Sequence, residues 1–172
     1  MTCRAWWRHY DGMTNEKGKT PSESAVVTRY LVMPEQANPQ GTAFGGAIMG
    51  WIDMVAAMAA ERHCQTEVVT AGIDSLAFKS PVRIGDQIVL KASVNYVSRS
   101  SMEVGVQVTR EAPLTGEKAI ATTAHVTLVA LDKNKRPTPV PPIVPETPEE
   151  QRRYENARQR VQQRKERLKQ GL

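Results

Sequence analysis

Between Gly46 and Ala60 a single ionisable residue, Asp53, stands in a run of Ala, Ile, Met, Val and Trp. Nothing at helical spacing can pair with it, because Met49 and Gly50 lie behind and Ala56 and Ala57 ahead. A carboxylate buried alone costs several kcal/mol or takes up a proton, so a sequence that keeps one there has a use or a distant partner for it. The bland alternative to a functional use is a satisfied polar contact across a subunit interface. Just upstream, Gly45 and Gly46 open the same apolar run without side chains. Free N–H groups at a helix start, with the positive end of its dipole, hold a developing oxyanion or polarise a carbonyl. In the preceding loop Asn38 offers a carboxamide able to place a water or an acyl oxygen, although an Asn before Pro39 is also ordinary turn chemistry. Together the three weigh toward a functional site, which none of them does singly.

The elements that must position these groups follow from hydropathy and breakers. AIMGWIDMVAAMAAERH, residues 47–63, is rich in Ala and Met and apolar on nearly every side, which predicts a helix buried all round. AVVTRYLVM, residues 25–33, predicts a strand stopped by Pro34, and residues 34–46 carry the prolines and glycines of a loop. Four more strands are expected at 68–78, 86–98, 102–111 and 118–132. One strand, one buried helix and four strands predict an α+β hotdog fold, in which an antiparallel sheet of about five strands wraps one long central helix. Such a sheet keeps open edges, so at least a dimer is expected.

Around this core, residues 1–22 read as a flexible extension, 23–145 as the hotdog domain and 146–172 as a charged C-terminal helix. The helix start is marked by Thr147, Pro148 and Glu150 as N-cap, first-turn proline and capping-box partner. Its narrow apolar stripe of Tyr154, Ala157, Val161 and Leu168 predicts a solvated helix resting on its own protomer or a neighbour.

Composition excludes several classes. At 172 residues, 40% hydrophobic and 24% charged, the chain suits one globular domain plus tails. No run approaches the ~20 apolar residues of a membrane span, and the start lacks the apolar core of a secretory signal. The two cysteines, Cys3 and Cys64, make neither a disulfide framework nor a metal set, so a reducing cytoplasm and no metal are expected. Of the net charge of +5, eight Lys and Arg against five Glu from Glu146 onward account for +3. The basicity belongs to the C-terminal helix, not to a folded surface with stacking aromatics, so nucleic acid is not an expected partner. His63 suits the negative end of the central helix, His125 lies within a strand, and Cys64 reads as a small apolar residue.

Several motifs in order resemble one family. They are Asn38-Pro39-Gln40-Gly41, Phe44-Gly45-Gly46, Gly50-Trp51-Ile52-Asp53, residues 69–75 with Phe78, residues 81–86, Ser100 to Val104, Pro139-Val140-Pro141-Pro142 and Val144 to Thr147. This set resembles the hotdog-fold acyl-CoA thioesterases of the brain acyl-CoA hydrolase type, over about residues 25–155. The resemblance implies hydrolysis of fatty acyl-CoA to free acid and CoA, with each site built between two protomers. It makes Asp53 the carboxylate that activates water or attacks the thioester, and Asn38 of the facing protomer the group that positions water or substrate. The Gly46 N–H would polarise the carbonyl, and Gly45 would let the acyl group approach. CoA would lie along Ala71, Gly72 and Ile73 and at the turn Ser100, Ser101 and Met102, with Arg99 and Arg83 as nearby charges. No cofactor is implied, since CoA is part of the substrate, and the assembly implied is a trimer of dimers. Two departures stand out: Phe44 where some relatives carry His, and Met54 where some carry Glu. The alternatives are a thioesterase for aromatic acyl-CoA and a non-catalytic acyl-CoA sensor using the basic helix for a partner. A hotdog dehydratase is disfavoured, because its loop needs a histidine and residues 34–46 contain none.

Overall fold

The computed structural model describes residues 18–74 and 76–169. Its strands are β1 (Val26–Leu31), β2 (Glu67–Asp74), β3 (Gln87–Val97), β4 (Ser101–Glu111) and β5 (Lys118–Leu131). They form one sheet in the order β1-β3-β4-β5-β2, with every neighbouring pair antiparallel. Helix α1 (Gly45–Cys64) lies across one face, and α2 (Pro148–Lys169) packs on the other. This is the expected hotdog arrangement.

Alternation decides which side chains meet α1. In β3 Ile88, Leu90 and Val94 point inward, in β4 Met102, Val104 and Val108, and in β5 Val126 and Leu128, all fully or almost fully buried. From α1 they receive Ile48, Ile52, Val55 and a patch of alanines whose small size lets the helix lie close to the sheet. The helix ends where Gln65 turns left-handed at φ 58° and its N–H bonds to the Glu61 carbonyl at 2.7 Å. Lys19 Nζ donates to the His63 carbonyl at 2.6 Å, adding charge complementarity at that end.

The expectation that α1 is enclosed on every side is corrected. Met49, Met54 and Met58 are 42–48% exposed, because a single sheet reaches only one side of a helix that is apolar on all of them. Edge strand β2 is exposed along most of its length, including Val69 and Ile73, and among the described strands it pairs with β5 alone. The open helix face and the open strand edge are both left uncovered within this chain.

At the chain ends one boundary moves and one expectation is refined. Residues 1–17 of the expected extension lie outside the described residues, but Lys19 to Ser24 belong to the folded body. Lys19 exchanges backbone hydrogen bonds with Pro142 and Val144, and the Ser24 hydroxyl, fully buried, accepts from the Val94 N–H at 2.9 Å. Of the two supports expected for the C-terminal helix, its own protomer or a neighbour, the structure shows its own protomer. Ala157 and Val161 are buried, and Tyr154 packs against Tyr96 with ring centroids 5.3 Å apart. Arg160 reaches the fully buried Glu103 carboxylate at 2.5 Å, and Arg164 reaches Asp74 at 2.5 Å. The capping box is present, with Glu150 N–H donating to Thr147 Oγ1 and Thr147 N–H donating to the Glu150 carboxylate.

Both described histidines are held neutral by burial. His63 is lowered from its ordinary value by desolvation, with one ring nitrogen bonded to the Pro141 carbonyl, and His125, beneath α2, is lowered to about 4 by desolvation and the nearby Arg160. A histidine whose folded pKa is depressed takes up a proton on unfolding. Its stabilisation is therefore present above about pH 6.5 and lost as pH falls toward 4. Urea midpoints should fall over that window, and His125→Gln should flatten the slope; an unchanged slope would show that His125 does not titrate with unfolding.

Candidate active site

Asp53 is placed by α1 and oriented by β2. It is half-buried rather than sealed in, and it has a partner that the helix alone could not supply: Thr70 Oγ1 donates to Asp53 Oδ1 at 2.6 Å. The distant partner that a lone carboxylate on this helix called for is thus supplied by a strand. Thr70 stands beside an irregularity in β2, where the register against β5 shifts between Thr70 and Gly72, and a strand bends locally at such a point. Asp53 Oδ2 has no hydrogen-bond partner among the described residues, so one oxygen is fixed and the other is available.

Asn38 sits in the loop before α1, and its side chain is tied to that loop. Its Oδ1 accepts from the N–H groups of Gln40 at 3.0 Å and Thr42 at 3.2 Å, and its Nδ2 donates to Thr42 Oγ1 at 2.9 Å. The carboxamide is therefore held in one orientation. Asn38 and Gly45 line a groove of about 510 Å³ that also includes Phe44, Phe78 and Ile48, but neither Asp53 nor Thr70.

The N–H groups of Gly45 and Gly46 find no acceptor among the described residues, as first-turn groups do not unless capped. Phe44 is the N-cap and offers no side-chain oxygen. A Cβ on Gly46 would meet the Phe44 ring at 2.4 Å, so that ring would have to shift, whereas one on Gly45 would make an ordinary contact with the Phe78 ring at 3.4 Å. Along the helix, Asp53 lies seven residues past Gly46, about 10 Å of rise. One chain thus presents two half-sites, a helix N-terminus with Asn38 at one end and a carboxylate with Thr70 farther along.

Ala71, Gly72 and Ile73 are exposed on β2 beside the register shift. Arg99 is exposed, and Ser100 and Ser101 are half-buried at the turn from β3 to β4. Ser101 pairs with Val129 of β5, which pairs with Val69 of β2, so the turn lies two strands, about 10 Å, from the β2 edge. The turn's carbonyls are occupied, since Arg99 and Ser100 accept from the N–H groups of Val140 and Ala130. Met102 is corrected: it is 1% exposed, because alternation in β4 turns it into the core with Val104, and its side chain cannot meet a ligand. Arg83 is exposed in the loop before β3.

Residues 40–117 match the family model described as the thioesterase superfamily. Over 145 residues the chain is 46% identical to an uncharacterized acyl-CoA thioester hydrolase of Bacillus subtilis, covering 84% of each chain. The chain belongs to the hotdog-fold acyl-CoA thioester hydrolases. Among solved members of this hydrolase family, an apo-hexameric acyl-CoA thioesterase is 40% identical, with a TM-score of 0.85 over 89% of this chain and 98% of that one. An acyl-CoA hydrolase of Staphylococcus aureus, solved with butyryl-coenzyme A and coenzyme A, is 37% identical, with a TM-score of 0.84 over 90% of this chain and 94% of that one.

Within this hydrolase the family match takes in Gly45, Gly46, Asp53 and Thr70 and begins just past Asn38. Thr70 is the residue that sequence reasoning did not assign. Its signal is slight: a hydroxyl between two valines and an Ala-Gly pair, which reads as ordinary strand chemistry until the helix is laid against it.

Proposed function

We propose that the protein hydrolyses fatty acyl-CoA to free acid and CoA at sites completed by two protomers. The observation that carries this reading is the separation of the half-sites. The carbonyl carbon and oxygen of a thioester are about 1.2 Å apart, so a carboxylate and an oxyanion donor some 10 Å apart on one helix cannot serve the same group. A second copy, docked on the open face of α1 and the β2 edge, brings the partner subunit's Gly46 and Asn38 to Asp53.

In that arrangement Thr70 holds Asp53 Oδ1, and Oδ2 takes a proton from water. The water oxygen bonds to the carbonyl carbon, negative charge on the carbonyl oxygen is stabilised by the partner subunit's Gly46 N–H, and the C–S bond breaks to release CoA thiolate, which is protonated. The partner subunit's Asn38 orients water or acyl oxygen, its carboxamide already fixed by Thr42. CoA runs along Ala71, Gly72 and Ile73 toward Arg99, Ser100 and Ser101.

Support comes from the Staphylococcus aureus relative, for which single alanine variants of an Asn, an Asp and a Thr have been solved. Those three positions are separated by 15 and 17 residues, as Asn38, Asp53 and Thr70 are here. The likeness to a hexameric thioesterase extends the dimer to a trimer of dimers. A reducing, cytoplasmic setting accords with the free, buried Cys64. The sensor alternative draws on few free charges of α2, since Arg152, Arg153, Arg158, Arg160 and Arg164 are all engaged with carboxylates of this chain, and Lys165 and Arg167 remain as exposed cations.

Complementation tests the shared site. Asp53→Asn and Asn38→Ala should each be nearly inactive, whereas co-expressed and co-purified they should recover about a quarter of wild-type thiol release, because half the random dimers then carry one intact site. Absence of recovery in proven mixed dimers would place both residues in one protomer's site.

A further inference from the structure

Two aromatic rings flank the paired glycines at the start of α1, and both are exposed. Phe44 is 60% exposed and Phe78 is 50% exposed. Each projects from a pinned backbone. Phe44 N–H donates to the Gln36 carbonyl at 2.7 Å, and the Phe44 carbonyl accepts from Ala47. On either side of Phe78, the Ala77 carbonyl accepts from Thr122 Oγ1 at 2.9 Å, and the Lys79 N–H donates to the Ala121 carbonyl at 2.7 Å. The rings therefore stand on rigid supports, one over Gly46 and the other over Gly45, at the mouth of a groove floored by Ile48 and Val82.

We infer that Phe44 and Phe78 form a slot that selects acyl groups by shape, admitting an unbranched chain and turning away acyl groups that are branched or ring-bearing at the carbon next to the carbonyl. The inference rests on the proposed role of the Gly46 N–H. A carbonyl oxygen bonded there lies about 2.9 Å from the nitrogen, which puts the carbonyl carbon and its neighbouring carbon within about 5 Å of Gly46. That is the space the Phe44 ring borders, since it comes within 2.4 Å of where a single added carbon on Gly46 would sit. A methylene chain passes a ring edge and gains dispersion contacts from both aromatics. A branch or an aryl ring at the same carbon needs volume that Phe44 already fills.

The test is thiol release from butyryl-, octanoyl-, isobutyryl- and benzoyl-CoA by wild type, Phe44→Ala, Phe44→Leu and Phe78→Ala, with Asp53→Asn as a control. Wild type should favour butyryl- over isobutyryl- and benzoyl-CoA in kcat/KM by roughly 10- to 100-fold, the scale on which one misfitting group is discriminated in an apolar pocket. Phe44→Ala should shrink that ratio by about 10-fold, Phe44→Leu should fall between, and Phe78→Ala should act in the same direction. Asp53-dependent release with a ratio unchanged in the Phe variants overturns the slot and leaves the hydrolytic reading standing. Release indifferent to Asp53→Asn overturns the site reading beneath it.

Discussion

Asp53→Asn will reduce kcat for acyl-CoA hydrolysis by about 10³-fold or more while leaving CoA binding within a few-fold of wild type, taking general-base catalysis at its usual 10²–10⁴ worth. The substitution is nearly isosteric, and an Asn Oδ1 can still accept the Thr70 hydroxyl that holds Asp53 Oδ1 at 2.6 Å. What changes is the second position, where an amide donates hydrogen bonds instead of accepting a proton, so a water there is no longer activated. The proposed CoA surface, Ala71 to Ile73 and Arg99 to Ser101, is untouched. Thiol release in single-turnover and steady-state assays, with calorimetry of CoA binding, reads the two effects separately. A variant that keeps more than about a tenth of wild-type kcat would remove Asp53 from the chemistry.

The second large effect concerns stability. Arg160→Ala will destabilise the fold by about 3–5 kcal/mol, the cost of leaving a buried charge without its partner. Glu103 is 1% exposed as a residue, and Arg160 supplies both its hydrogen bonds and its main countercharge. Burial pushes the Glu103 carboxyl up from its ordinary value, and the Arg160 contact opposes that rise, so removing Arg160 sends it higher still. A carboxyl that binds its proton more tightly folded than unfolded is destabilising when ionised. The loss is full at neutral pH and fades as pH falls below the raised folded value toward the unfolded one, near 4.3. Because Arg160 also lowers His125, the comparison is made in a His125→Gln background, where the difference with and without Arg160 isolates Glu103. Replacing the pair together, as Glu103→Met with Arg160→Met, should restore most of the stability, since no charge is then stranded. A single variant that loses less than about 1 kcal/mol at neutral pH would mean that Glu103 gains solvent or a proton at little cost.

Sequence reading recovered most of the local structure because its signals are local. The Ala- and Met-rich run makes α1, β-branched alternation makes the strands, and Thr147 with Glu150 caps α2 through bonds spanning three residues. Boundaries moved at strand ends: β2 stops at Asp74 rather than running to Phe78, whose ring serves the groove beside Gly45. Three readings stopped short for a shared reason. An apolar run shows that a helix is to be covered but not by which chain, so the exposed Met49, Met54 and Met58 were read as buried. Spacing within α1 showed no partner for Asp53, because its partner lies 17 residues away on a strand. The resemblance implied that Met102 belongs to a ligand turn, but the pleat sends that side chain inward.

By itself, then, the sequence determined which elements form, the free helix N-terminus at Gly45 and Gly46, and the presence of one acid seven residues beyond it, since each depends on neighbours within a turn or a strand. Only the tertiary structure decided that Thr70 orients Asp53, that Arg160 and Arg164 clamp α2 to the sheet, and that Phe44 and Phe78 flank the paired glycines. Those contacts join residues whose separation along the chain says nothing of their separation in space. The path of the sheet around α1 sets that distance.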